Sequence, residues 1–407
     1  MLFAAMVILP LENYLPTVAG MTVNFLLFVV IAAYIMVNRP RTLGKTWYHP
    51  VFIAAYAFIG VSVLLEFSSP LSRYGDLIRF GQMIGGAVCV AVLCRDRSAL
   101  TIGLYGYIAT AFWVSIVLYS TGYETLQGMQ ADDFGEASQI RRQAFGNKPL
   151  GANINHLSFI CAQGAIVAFA LSLWDRLKHL RILLLGAGAF CLIASFLPMS
   201  RGVAVVIFVS FATILYAQGF RYGKALIVAS VLGMIVYAVL PDAIWSRMVF
   251  STETAKSGKK ESRMQLYDTS LDRLPEYIVA GVGSGNFHEK WGLEKGYGRH
   301  RAGGMITHGV HNSLLAITIY WGVLGLIFFL WIIWHVYRLI PSRSGRDELS
   351  LALLGILVAL GLYLLQIHGF HDKMFSFGIG MLVGARQWIW PTGIVSEAVE
   401  TNVRRRL

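Results

Sequence analysis

Apolar runs long enough to cross a bilayer punctuate this chain almost from end to end. They lie near residues 2–16, 18–37, 50–66, 74–94, 98–119, 154–174, 181–197, 202–218, 224–240, 309–337, 348–368 and 373–390. A helix needs about 20 mostly apolar residues to span the hydrocarbon core. Inside that core only helices and closed barrels satisfy their own backbone. The run lengths suit helices, so the expected fold is an all-α polytopic membrane protein with about twelve transmembrane helices. The first run is the weakest, because Pro10, Glu12, Asn13 and Pro16 interrupt it. Composition agrees: hydrophobic residues make up 56% and charged residues 14%, where a soluble domain has about 25% charged. A disordered chain, a collagen and an ordinary cytosolic enzyme are excluded.

The formal net charge is +12, and half of the 34 Lys and Arg residues fall in or beside 38–49, 95–97, 175–181, 219–224, 338–347 and the C-terminal tail. Short loops rich in Lys and Arg stay cytoplasmic. Placing the N-terminus in the cytoplasm puts all of these segments on that side, so both termini are expected there. The excess charge is then a topology signal and gives no support for a nucleic-acid partner. Met1 to Pro10 carries no basic residue ahead of its apolar stretch and does not read as a cleaved signal peptide. Cys89, Cys94, Cys161 and Cys191 all sit inside apolar runs, which suits small core residues better than disulfides or metal ligands.

Two long loops, 120–153 and 241–308, then face the outer side. The expected organisation is an N-terminal bundle over 1–240 (about nine spans, with the loop 120–153), a large outer loop over 241–308, and a three-span segment with its tail over 309–407. In the second loop Met264, Tyr267, Leu271 and Leu274 recur at three- to four-residue spacing, which predicts an amphipathic helix over Glu261 to Ala280. Pro275 interrupts that helix or starts a new one. The following Gly-Val-Gly-Ser-Gly-Asn-Phe lacks the strand–helix context of a nucleotide fingerprint. It reads as a tight turn that places Asn286 and Phe287.

The polar residues gather at outer helix ends. Arg201 follows Ser200, a candidate N-cap, and opens the eighth run. An arginine in a first helical turn opposes the helix dipole. It is either a snorkelling side chain or half of an anion site, since free backbone N–H groups and a guanidinium fork suit a phosphate. Arg263, at the start of the loop helix, reads as a solvated charge or as a grip on the other half of a diphosphate. His311 lies in His-Gly-Val-His-Asn where the tenth run begins, with His308 one turn earlier and Asn312 next to it. A helix N-terminus and nearby arginines disfavour imidazolium, which keeps the ring neutral as a general base requires. Two histidines are too few ligands for a zinc site. Arg142, Asn153, Asn155 and His156 close the first long loop, where asparagines suit sugar binding or plain capping. Asp372, beside His368 and His371, orients a histidine, binds a sugar hydroxyl, or is a plain loop residue. Within the runs, Glu66, Asp76 and Arg79 are the main ionisable residues. Such groups are costly in a membrane and usually paired, and Asp76 and Arg79 are spaced to pair with each other.

This order of motifs resembles the O-antigen ligase and polymerase superfamily: Ser-Arg-Gly at an outer helix start, a loop helix led by an arginine and ending in Gly-Val-Gly-Ser-Gly-Asn-Phe, then His-Asn at the next span. The motifs lie within about 200–313. The resemblance implies a GT-C-like helical fold in the bacterial inner membrane. It also implies metal- and cofactor-independent, inverting glycosyl transfer at the periplasmic face. The donor would be a polysaccharide on undecaprenyl diphosphate and the acceptor a sugar hydroxyl of the lipid A core, with membrane lipids around both and no nucleotide. Arg201 and Arg263 match the family's key arginines, His311 its essential histidine, and Asp372 matches by location. Arg142, Asn153, Asn286, His308 and Asn312 are the expected substrate contacts. Polymerases often carry a glycine eleven residues after a loop arginine. Arg141, Arg142, Arg263 and Arg273 lack it, which favours a ligase. A polymerase of the same superfamily and a lipid or polysaccharide transporter are the competing readings.

Overall fold

The computed structural model describes residues 2–8, 23–67, 75–127, 129–131, 134–146, 150, 153–219, 238, 240–249, 267–268, 270–284, 299–301, 304–306, 310–340, 347–366, 370 and 372–390. The helices among them are α1 (Leu2–Ile8), α2 (Val23–Asn38), α3 (Pro40–Trp47), α4 (Pro50–Glu66), α5 (Gly75–Leu93) and α6 (Arg97–Leu118). Next come α7 (Phe134–Phe145), α8 (Ile154–Ser172), α9 (Arg181–Phe196), α10 (Arg201–Ala217), α11 (Asp242–Val249) and α12 (Leu274–Tyr277). The last three are α13 (Ser313–Arg338), α14 (Glu348–Leu364) and α15 (Met374–Trp388). The helical expectation holds for the body of the protein. The exception is a short antiparallel pair in the second long loop, β1 (Arg299–Arg301) with β2 (Gly304–Ile306), in which His300 faces Met305.

Among the described residues 5 helices are long and apolar enough to cross a membrane, or up to 6 if one bent pair counts as a single span. Three shorter apolar helices, α4, α10 and α14, accompany them. Most of the ninth apolar run lies outside the described residues. The bent pair corrects one boundary: the second run does not stop in a loop but turns by 110° into α3. Proline causes the turn. Pro40 opens α3 and forces Arg39 out of helical geometry, at φ −141° and ψ 41°. The sixth helix also outruns its expected end, continuing through a π-turn at Tyr119–Tyr123 to Leu126.

Small residues set how closely the helices pack, as they do where lipid supplies no hydrophobic drive between helices. A Cβ at Gly380 would stand 2.6 Å from the Ala87 carbonyl oxygen, and one at Gly384 would stand 2.7 Å from that of Ala91. The matching order shows that α5 and α15 run parallel. Gly164 on α8 lies against Ala111 on α6 in the same way. The four cysteines are buried in this core. Asp76 and Arg79 approach to 3.9 Å, as their spacing suggests.

The bundle has two distinct ends. At the end that the charge pattern assigns to the cytoplasm, Arg97 reaches the carboxylate of Asp347, Trp390 donates to the same carboxylate, and Thr46 donates to Gln387. His49 belongs to this end and caps α4, its Nδ1 accepting the Val51 N–H at 3.4 Å. Burial, then the ring of His335, holds the His49 pKa down from 6.5 to about 4. Such a histidine stabilises the fold as the neutral base. Its contribution is complete above 6.5 and is lost as pH falls from 6.5 towards 4. The melting temperature in detergent should therefore drop across that window in the wild type and drop less in His49→Gln. An equal drop in both would remove His49 from the acid response.

Candidate active site

The opposite end, which the charge pattern assigns to the outer face, is built around a break in α13. Gly322 leaves helical geometry at φ 63° and ψ −164°. The break strips Ile319 and Tyr320 of their normal carbonyl partners. The glycine-rich segment replaces them: Val282 N–H donates to the Ile319 carbonyl and Gly283 N–H to that of Tyr320, both at 2.9 Å. Val323 N–H is redirected to the Ile278 carbonyl at 2.7 Å. Two backbones therefore cross in contact, and both need glycine there. A Cβ on Gly322 would meet the Val279 carbonyl oxygen at 2.2 Å, and one on Gly281 (φ 76°) would meet that of Tyr320 at 2.2 Å. Pro275 starts the short helix α12, which leads into this crossing.

Glu66, fully buried at the end of α4, clamps the crossing from the side. Its Oε1 accepts both the Ser284 N–H at 2.8 Å and the Trp321 indole N–H at 3.0 Å. Trp321 packs edge-on to Phe370, with centroids 5.5 Å apart. Phe370 leads directly to Asp372.

Asp372 does more than accept the Met374 N–H (3.0 Å) at the entrance of α15. Its Oδ2 lies 3.0 Å from Nδ1 of His156, on the first turn of α8. The Tyr363 hydroxyl, on the last turn of α14, stands 2.7 Å from the same nitrogen. Tyr363 is itself fixed by stacking on Phe159, with centroids 3.8 Å apart. Asp372 thus orients a histidine, but one that lies far away in the sequence. His156, Tyr363 and Gln366 were not picked out as a group from the sequence. His156 comes from one apolar run and Tyr363, 207 residues later, from another together with Gln366, so no local spacing joins the histidine to its partners.

One turn after Tyr363, Gln366 reaches the start of α10. Its Oε1 occupies space that a side chain on Gly202 would fill, only 1.9 Å from the ideal Cβ. Arg201 stands beside it. The snorkelling reading is corrected for one nitrogen, because Arg201 Nη2 is buried away from solvent. Ser200 holds the N-cap position with extended backbone, but its side chain makes no capping hydrogen bond. The α10 start and the His156–Asp372 pair therefore share one neighbourhood, with α14 joining them.

His311 stands just ahead of α13, partly buried, with φ 54° and its carbonyl accepting from the Tyr267 hydroxyl at 3.4 Å. The non-glycine residues with positive φ among those described are Leu150, Met199 and His311. Each lies just ahead of a helix entrance at this end: α8, α10 and α13. Such backbone is costly and collects at functional sites. Asn312 caps α13, its Oδ1 accepting the Leu315 N–H at 3.0 Å. Asn153 caps α8 through the Asn155 N–H at 2.9 Å. Capping is thus the observed work of both asparagine oxygens. Arg142 is exposed on α7, while its neighbour Arg141 donates to the side chain of Asn155. Arg263, Asn286 and His308 lie outside the described residues. Among the described residues no group of three or more His, Cys, Asp or Glu could hold a metal ion.

Residues 186–330 match the family model described as O-antigen ligase. The matched stretch runs from α9 into α13 and includes Arg201, Arg263, the glycine crossing and His311. It supports the O-antigen ligase superfamily for this chain, a family of glycosyltransferase-like membrane enzymes. No curated protein matches the chain.

The crossing yields a test. Gly322→Ala would force a side chain into a carbonyl group at a positive φ, costing ~2 kcal/mol or more. Its melting temperature in detergent should fall well below that of Gly361→Ala, where a Cβ meets nothing within 4 Å. Equal stability in the two variants would refute the required crossing.

Proposed function

We propose, from the kinship with the O-antigen ligases, that this protein transfers a polysaccharide from undecaprenyl diphosphate to a sugar hydroxyl of the lipid A core. The reaction takes place at the periplasmic face of the bacterial inner membrane. The observation that carries the reading is the position of the matched arginine and histidine. Arg201 opens α10 with one guanidinium nitrogen buried and first-turn N–H groups not capped by Ser200. His311 stands at the entrance of α13.

The chemistry follows from the substrates. A periplasmic glycosyltransferase has no nucleotide sugar at hand, so its donor arrives already activated on a lipid. The acceptor oxygen attacks the anomeric carbon from the face opposite the diphosphate. The new C–O bond forms as the old one breaks, and the configuration inverts. The bonding pair leaves with the lipid diphosphate, and Arg201 with Arg263 balances its growing charge. Loss of one such group commonly slows a reaction ~10²–10³-fold. His311 takes the hydroxyl proton, a contribution of ~10²–10⁴-fold. No metal or cofactor enters. Asn286, His308, Asn312, Arg142, Asn153 and Asp372 are assigned to binding the substrates.

The break in α13 is a feature that transporters share. Here, however, protein backbone fills it at the Val282 and Gly283 hydrogen bonds, so it forms no open gap along a substrate path.

A deletion strain tests the reaction. Loss of a ligase leaves bare core on the gel and long chains on the carrier lipid. Single repeats attached to the core would instead identify a polymerase. In the complemented strain, His311→Ala should give bare core while the protein remains folded and binds donor. Arg201→Lys should be severely impaired, because lysine cannot make the bidentate contact. Near-normal lipopolysaccharide from His311→Ala would remove its role as base.

A further inference from the structure

We propose that His156, held by Asp372 and Tyr363, is a binding residue for the acceptor: its Nε2 accepts a hydrogen bond from a sugar hydroxyl. This inference rests on the glycosyl transfer proposed above and adds a site on α8, outside the matched residues 186–330.

The geometry fixes the tautomer. An ionised carboxylate only accepts hydrogen bonds, so the contact between Asp372 Oδ2 and Nδ1 at 3.0 Å requires the proton on Nδ1. The Tyr363 oxygen, 2.7 Å from the same nitrogen, then accepts from that N–H as well. While the ring is neutral, Nε2 keeps a lone pair, and among the described residues no group bonds it. A carboxylate on one imidazole nitrogen fixes the ring orientation and makes the other nitrogen a stronger acceptor.

The surroundings are built for a fixed ring. Three elements converge on it: the first turn of α8, the last turn of α14 and the entrance of α15. The His156 side chain keeps 22% of its accessible surface and is open to a ligand. A plain structural tie needs neither the leftover lone pair nor that opening. The location supplies the ligand class. Gln366, one turn after Tyr363, sits against Gly202 at the start of α10. A hydroxyl on His156 therefore lies in the same neighbourhood as the Arg201 end of the donor site. The ligand is neutral, because Asp372 on the far side of the ring repels an anion.

Initial rates separate the roles. The full chain in phospholipid nanodiscs is assayed with polysaccharide-linked undecaprenyl diphosphate as donor and lipid A core as acceptor. His156→Gln should raise the acceptor KM about tenfold, the scale of one lost hydrogen bond within a geometric site. The donor KM should stay within about twofold and kcat within about threefold. Tyr363→Phe preserves the stack on Phe159 and removes only the hydroxyl. It should raise the acceptor KM by about threefold, and it carries the test if His156→Gln fails to accumulate. An unchanged acceptor KM, or donor and acceptor constants that worsen together, overturns the assignment. If the wild-type protein forms no product at all, the transferase reading falls and takes this one with it. An active wild type with an unaltered variant sinks this inference alone.

Discussion

Every backbone amide at membrane depth must find a partner, and the crossing of α13 with the glycine-rich segment is where this protein meets that demand under the greatest strain. An unbroken α13 would satisfy itself. Breaking it at Gly322 frees two carbonyl groups and redirects one N–H, and all three are answered by residues 278–283. The solution is exact in register, because the crossing backbones leave no room for a Cβ on either glycine. Glu66 locks it by taking donors from both partners on one oxygen. The rest of the outer end hangs from this joint: Trp321 holds Phe370, Phe370 leads to Asp372, and Asp372 holds His156.

What the sequence made legible was mostly local. Apolar run length marked the helices, Pro275 marked a helix start, and Asp76 and Arg79 paired at the spacing that suggested it. Proline also placed a boundary that run length alone missed, since Pro40 turns α2 into α3. The glycine motif was legible as a tight backbone site. Its partner was not, because Gly322 sits inside a run that reads as one continuous helix, with a strongly apolar flank on either side.

The candidate site shows the same limit. Arg201 and His311 stood out because each stands at a helix entrance that the charge pattern assigns to the outer face, where no topology signal asks for a basic residue. His156 looked like an ordinary capping-region residue until the fold set Asp372 and Tyr363 against it. Long-range pairing leaves no periodicity to read. The strained entrances were equally hidden: Leu150 and Met199 carry no side-chain signal for the positive φ they adopt. Asn312 and Asn153 make the opposite point. Their type suggested sugar contacts, and the structure engages their oxygens in holding helix ends.

The interrupted helix has a consequence for biogenesis. While the chain is being made, residues 313–338 emerge as a single 26-residue apolar stretch, which the insertion machinery handles as one uninterrupted stop. The backbone groups freed by the kink at Gly322 are satisfied by residues 278–283, and those residues are synthesised before their receptor. The crossing therefore cannot close before residue 323 has been made, so this joint forms by docking of two separately synthesised pieces.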